Sequence, residues 1–89
     1  MPQVFVPPPY RGPTLGEERI EVAGGTVAEC LEAVGKRFAG FHELIFDGQG
    51  SVHKFVKLFV NGDEIERSAL ATPVASTDSI EILAAIAGG

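Results

Sequence analysis

Residues 26–38, TVAECLEAVGKRF, decide the fold that this sequence predicts. Apolar residues recur in the stretch at spacings of four, three and four and form one stripe along a helix: Val27, Leu31, Val34 and Phe38. Thr26 and Glu29 make a capping-box pattern, in which the Thr26 hydroxyl accepts from the Glu29 amide and the Glu29 carboxylate reaches back to the Thr26 amide. The stretch therefore predicts an amphipathic helix that begins after Thr26.

Glycines punctuate the far end of this helix. Gly40 can supply a left-handed C-terminal cap, with Phe41 folding back onto the last turn. Gly35 costs about 1 kcal/mol in a helix interior, so we expect it to allow a close contact between helix and sheet. Residues 41–45 predict a short second helical turn.

A β-hairpin is predicted before the helix. Its first strand is Val4-Phe5-Val6, ended by prolines 7–9, which cannot donate to a ladder. Residues 10–16 form the loop. Residues 18–22 then alternate strictly, with Ile20 and Val22 on one face. Val4 and Val6 are expected to share that face.

Three further strands are predicted after the helix. Residues 53–60 alternate, with Val56, Leu58 and Val60 on one face and Phe55, Lys57 and Phe59 on the other. Asn61-Gly62 is a tight-turn signal that leads into a short strand at 64–67. An irregular segment at 70–77, anchored by Leu70 and Val74, precedes the last strand at 79–84, whose inward residues are Ile80 and Ile82.

The order β-β-α-β-β-β favours an α+β fold of the β-grasp type, a mixed sheet of about five strands around one main helix. The crossover between the first and last strands is long enough to hold a helix, as parallel pairing requires. We expect a β-grasp domain over residues 1–83 and a flexible C-terminal tail over residues 84–89. Six extended residues reach up to ~20 Å, enough to enter an active site on another protein.

The tail itself suggests chemistry. Its last residues are Ile86-Ala87-Gly88-Gly89. Two glycines have no Cβ and tolerate unusual backbone angles, so their carboxylate can enter a narrow enzyme cleft. An achiral terminal residue also leaves nothing to racemise when the carboxylate is activated. Such an end suits adenylation, thiolation or conjugation by a partner enzyme.

Composition excludes several classes of function. The 89 residues include 12 acidic and 7 basic side chains, a net charge of −5 that disfavours nucleic-acid binding. No apolar run approaches the ~20 residues that cross a bilayer, and no signal peptide is indicated. The single cysteine, Cys30, excludes an internal disulfide framework and fits a reducing compartment, so a cytoplasmic location is expected.

Residues 53–61, HKFVKLFVN, together with Leu70-Ala71-Thr72 and the Ala87-Gly88-Gly89 end, resemble the ubiquitin-like sulfur carrier family. The resemblance covers essentially the whole chain. The family includes the small subunit of molybdopterin synthase and the carriers of thiamine and cysteine biosynthesis, and residues 53–61 look most similar to the last. Many relatives have proline before the tail, where this sequence has Ala84-Ala85-Ile86-Ala87, which predicts a less stiff tail.

The resemblance implies a protein cosubstrate rather than an enzyme. An ATP-dependent activating enzyme, similar to the ubiquitin-activating type, would adenylate Gly89, and a sulfur donor would convert it to a thiocarboxylate. Gly88, Ala87 and Ile86 would give the tail access to the cleft. The acceptor would be an enzyme such as a cysteine synthase, with a metallopeptidase releasing the product from Gly89. The carrier would bind no cofactor itself and would be monomeric when not engaged.

Three alternatives stay open at this point. The chain could be the small subunit of molybdopterin synthase, in a stable complex with the large subunit. It could instead be a modifier conjugated to lysines of other proteins, or a plain β-grasp interaction module whose Gly-Gly end is accidental.

The other candidate residues point to docking rather than catalysis. Phe55, Phe59 and Leu83 are predicted to face outward and to form an apolar patch that docks the partner enzymes. Cys30 is expected to be a small buried hydrophobe. His42 and His53 lack further ligands at motif spacing, so neither metal binding nor catalysis is predicted.

Overall fold

A five-stranded mixed sheet wraps one face of a helix in the computed structural model, which describes residues 1–8, 11–12 and 14–84. The elements in chain order are β1 (Gln3–Phe5), β2 (Arg19–Glu21), α1 (Val27–Arg37), α2 (Phe41–Ile45), β3 (Val56–Val60), β4 (Asp63–Ile65) and β5 (Ser79–Ala84). The strand order is β2-β1-β5-β3-β4, so β5, the last strand, occupies the centre. This is the β-grasp arrangement that the sequence predicts.

The register of the strands agrees with the alternation of buried and exposed side chains along each strand. β1 pairs parallel with β5, and Val4 lies beside Ile80; all other pairs are antiparallel. The buried apolar side chains of β1, β2, β3 and β5 therefore share the face of the sheet that packs on α1. The helix contributes Val27, Cys30, Leu31 and Val34, none of which is exposed to solvent. The predicted inward residues of β1, β2, β3 and β5 are confirmed, with Val60 only partly buried.

The start of α1 is capped as predicted, with one difference. The Thr26 hydroxyl accepts from the Glu29 amide at 3.2 Å, but the Glu29 carboxylate accepts from the Gly25 amide at 2.7 Å, not from that of Thr26. The irregular segment at 70–77 completes the cap. The carbonyls of Thr72 and Leu70 accept from Val27 and Ala28, two amides that a helix leaves without internal partners.

The glycines near the end of α1 have different roles from those that the sequence predicted. α1 ends at Arg37, and Gly40, with a φ of 91°, is the N-cap of α2 rather than the C-cap of α1. Gly35 faces α2 rather than the sheet, because a Cβ placed there would lie 3.3 Å from the Cβ of His42. Phe41, the first residue of α2, is wholly buried and belongs to the hydrophobic core.

The remaining turns agree with the sequence except at the start of β3. Asn61 and Gly62 have φ values of 52° and 87°, which confirms the tight turn between β3 and β4. The predicted strand from residue 53 is wrong in its first residues, because the Val56 amide donates to the His53 carbonyl and closes a turn. β4 covers Asp63–Ile65 instead of residues 64–67.

Candidate functional site

The outer face of the sheet, away from α1, carries apolar side chains around the end of β5. Ile80 and Ile82 point into the core, so Glu81 and Leu83 point outward. In the same way Lys57 and Phe59 project from the outer face of β3. Phe59 is paired with Glu81, and Lys57 with Leu83, which makes Phe59 and Leu83 diagonal neighbours across the two strands.

Phe5 belongs to the same surface and is absent from the residues that the sequence singled out. It lies opposite Glu81 in the parallel pair, with Val4 buried beside it. The alternation of β1 could have revealed it, since an inward Val4 requires an outward Phe5. The Arg19 guanidinium covers its ring at 5.1 Å from the centroid. We define Phe5, Phe59 and Leu83 as the outer patch.

Phe55, the third predicted docking residue, does not lie on a strand. It precedes β3, and its ring stacks on that of His53 with centroids 5.1 Å apart and planes 10° apart. The ring is nevertheless 42% exposed, against 40% for Leu83, whereas Phe59 is only half-buried. A role of Phe55, Phe59 or Leu83 in docking stays a prediction.

The last described strand ends beside these side chains. β5 ends at Ala84, opposite Val56 at the start of β3, so the strand includes one residue that was predicted to belong to the tail. The predicted tail residues Ile86, Ala87, Gly88 and Gly89 lie outside the described residues. Their predicted flexibility and chemistry are therefore expectations from the sequence.

Cys30 is placed as the sequence predicts, inside the core. Burial raises the pKa of its thiol, and the negative charge of Glu29 raises it further. The neutral thiol therefore predominates at neutral pH, and a thiol is a much poorer nucleophile than a thiolate.

Both histidines contact neighbouring groups of the fold. His42 stacks on Phe46 with centroids 4.6 Å apart, and its Nε2 lies 3.4 Å from a carboxylate oxygen of Glu32. His53 Nε2 lies 3.2 Å from the carbonyl of Glu43. Across residues 1–8, 11–12 and 14–84, no three His, Cys, Asp or Glu side chains gather closely enough to hold a metal ion. The helices of this part of the chain are also too short and too polar to span a membrane.

Comparison with known proteins decides the family. The family model described as ThiS family matches residues 10–89. The chain is 33% identical over 89 residues to the sulfur carrier protein CysO of Mycobacterium tuberculosis, an alignment that covers 97% of this chain and 96% of the relative. The chain belongs to the ThiS family. It is homologous to CysO, and the resemblance seen in residues 53–61 is confirmed.

Solved structures of similar proteins share the fold. A chain in the crystal structure of the Amycolatopsis orientalis BexX/CysO complex matches with a TM-score of 0.88 and 31% identity, covering 100% of both chains. Mycobacterium tuberculosis CysO matches with a TM-score of 0.87 and 29% identity over 97% of this chain and 100% of that one. SAMP1 of Haloferax volcanii, at 18% identity and a TM-score of 0.80 over 99% and 98% of the two chains, shows the fold alone. The ThiS-family chain is thus a β-grasp protein.

Proposed function

We propose that the chain is a sulfur carrier whose Gly89 carboxylate is adenylated and converted to a thiocarboxylate for cysteine or related sulfur-metabolite synthesis. The observation that carries the proposal is the position of β5. This central strand ends at Ala84, next to Leu83 of the outer patch, so an enzyme that holds the outer patch would have the start of the tail at hand. Homology to CysO, named a sulfur carrier protein, supports the same function.

The chemistry needs a carboxylate that has been turned into an electrophile. A Gly89 carboxylate oxygen attacks the α-phosphorus of ATP in the partner enzyme, and pyrophosphate leaves. Hydrosulfide then attacks the acyl carbon, AMP leaves, and a proton goes to solvent to give the thiocarboxylate. The first step uses ATP and the second uses a sulfur donor, and both are held by the partner. The carrier is therefore a cosubstrate that supplies the acyl group and the folded surface by which enzymes recognise it.

The thiocarboxylate sulfur then serves as a nucleophile toward a metabolite bound to an acceptor enzyme. We propose a cysteine synthase-like enzyme for this step, since CysO is a relative of this chain over nearly its whole length. The product stays joined to Gly89 until a metallopeptidase hydrolyses the bond. In this cycle the carrier meets its partners transiently and is monomeric between them.

The test is ATP–pyrophosphate exchange with the purified chain and the adenylating enzyme of its source organism. We expect exchange that depends on the chain and that disappears when Gly88 and Gly89 are removed. The matched control is the full chain with its Gly89 carboxylate converted to an amide, because it keeps both glycines and removes only the carboxylate. Exchange that persists with the blocked chain would contradict the proposal.

A further inference from the structure

The loop between β1 and β2 presents a leucine to solvent. Leu15 is 84% exposed and has a φ of 57°, a region that residues other than glycine adopt rarely. The backbone around it is held by hydrogen bonds. Thr14 is wholly buried, with its hydroxyl 3.3 Å from the Arg11 carbonyl and 3.0 Å from the Glu17 carbonyl. The Gly16 amide also donates to Arg11 at 2.8 Å.

The base of the loop is tied to the end of β1. Arg11 Nε donates to the Val6 carbonyl at 3.0 Å, and its Nη2 lies 3.5 Å from a Glu18 carboxylate oxygen. The Val6 amide donates to the Glu18 carbonyl at 2.8 Å. These bonds fix the loop, and Leu15 with it, to the end of the sheet where β1 ends.

β5 ends at the same end of the sheet, because β1 and β5 are parallel. A hollow of about 190 Å³ lies there between the segment after β1 and the last residues of β5, lined by Pro7, Pro8 and Arg11 on one side and by Leu83 on the other. β3 is antiparallel to β5, so Phe55, just before β3, lies at this end as well.

Exposed apolar side chains concentrate at this end. Within the described residues, the large hydrophobic side chains exposed to solvent are Met1, Leu15, Phe55 and Leu83. Met1 precedes β1 and belongs to the opposite end; the other three lie at the end of the sheet where β5 ends. Apolar side chains gathered in this way mark an interaction surface.

We propose that Leu15 is a recognition contact that enters an apolar pocket of the adenylating enzyme, beside the cleft that takes Gly89. The inference rests on the proposed sulfur-carrier function. The tail offers little to recognise, because Ile86 is its one side chain larger than a methyl group. We therefore expect the first enzyme of the cycle to select this carrier largely by the folded surface at this end of the sheet.

Positive charge lies on the other side of this end of the sheet. Lys54 and Lys57 are exposed beside Phe55 and Leu83, in a chain whose net charge is −5. The matching partner has an apolar pocket on the Leu15 side of its cleft and carboxylates on the lysine side. Opposite charges at the rim set orientation and the rate of association.

The experiment measures pyrophosphate exchange against carrier concentration for three variants. Leu15→Asn removes the apolar side chain but suits the left-handed backbone, and Leu15→Gly does so with even less strain. Leu15→Met keeps the apolar bulk and is the matched control. We expect KM for the carrier to rise about tenfold in the Asn and Gly variants, with kcat unchanged, as for the loss of one buried leucine contact. The Met variant is expected to behave like the original chain.

The outcomes separate the two proposals. If the unaltered chain supports no exchange, the sulfur-carrier function fails and this inference fails with it. If it supports exchange and the Asn and Gly variants match it, only the role of Leu15 is overturned. The role is also overturned if these variants are adenylated normally but pass sulfur slowly from a preformed thiocarboxylate, because Leu15 would then contact the acceptor enzyme.

Discussion

At the scale of single residues, Asp78 joins the start of β5 to the turn after β3. One carboxylate oxygen accepts from the Ala75 amide at 2.7 Å and the other from the Asn61 side-chain amide at 3.0 Å. The Asn61 side-chain oxygen in turn accepts from the Ser79 amide at 2.9 Å. The hydrogen bond from Ala75, and then that from Asn61, lower the pKa of Asp78.

This pKa shift predicts a pH dependence of stability. A carboxyl group whose folded pKa lies below its unfolded value of about 3.9 stabilises the fold above that value. The stabilisation is lost as pH falls through the folded pKa. Asp78→Asn is therefore expected to lower the urea midpoint at pH 7, and the difference from the original chain is expected to shrink as pH falls below about 4. A difference that stays constant from pH 7 to pH 2 would show that the charge of Asp78 is irrelevant.

Phe59 offers a residue-level test of the outer patch. Its cross-strand neighbours are Glu64 and Glu81, so Phe59→Lys replaces the ring with a charge that both neighbours favour. We expect this variant to stay folded and to raise KM for the carrier in pyrophosphate exchange by about tenfold, the loss of a partly buried aromatic contact. Phe59→Leu, which keeps an apolar side chain, is the control. Normal exchange by the folded lysine variant would remove Phe59 from the docking surface.

At the scale of elements, β5 holds the sheet together. It lies between β1 and β3, and its inward residues Ile80 and Ile82 are wholly buried against the core. Every other strand of the sheet depends on this strand directly or through one neighbour. Because β5 is the central strand, the described chain ends at Ala84 in the middle of the sheet.

Truncation of a buried β5 residue is therefore expected to be costly. Ile82→Ala leaves a cavity beneath the sheet, and we expect a loss of about 2–5 kcal/mol in the free energy of unfolding. Glu81→Ala, on the outer face of the same strand, is expected to change it by less than about 0.5 kcal/mol. Urea titration followed by circular dichroism measures both. Equal losses in the two variants would contradict the inward and outward assignment of β5.

The elements that the sequence predicted well are those with local signals. Each of these signals depends only on residues close together in the sequence: the apolar stripe and cap of α1, the alternation of β2 and β5, and the Asn61-Gly62 turn. The start of β3 was missed because residues 53–55 alternate like a strand, whereas a hydrogen bond between His53 and Val56 turns the chain there. The partner of Gly35 was missed because the packing of α2 against α1 is a tertiary contact.

At the scale of the whole molecule, the candidate site is one end of the sheet rather than a cluster of catalytic groups. Phe59 and Leu83 were predictable from alternation, and Phe5 was open to the same argument. Leu15 was not, because exposure of a loop residue depends on how Arg11 and Thr14 hold the loop. The tail residues from Ile86 to Gly89 were singled out by the chemistry of a C-terminal Gly-Gly carboxylate and by the family resemblance, and they lie outside the described residues. Their chemistry is the central claim.

Intact mass spectrometry tests that claim most directly. The chain would be produced in its source organism, purified, and compared with a variant that lacks Gly88 and Gly89. We expect that a fraction of the full chain carries one sulfur in place of one oxygen, that fragmentation assigns it to Gly89, and that the shortened variant carries none. A full chain found only as the carboxylate, even after incubation with ATP, hydrosulfide and the adenylating enzyme, would contradict the sulfur-carrier function.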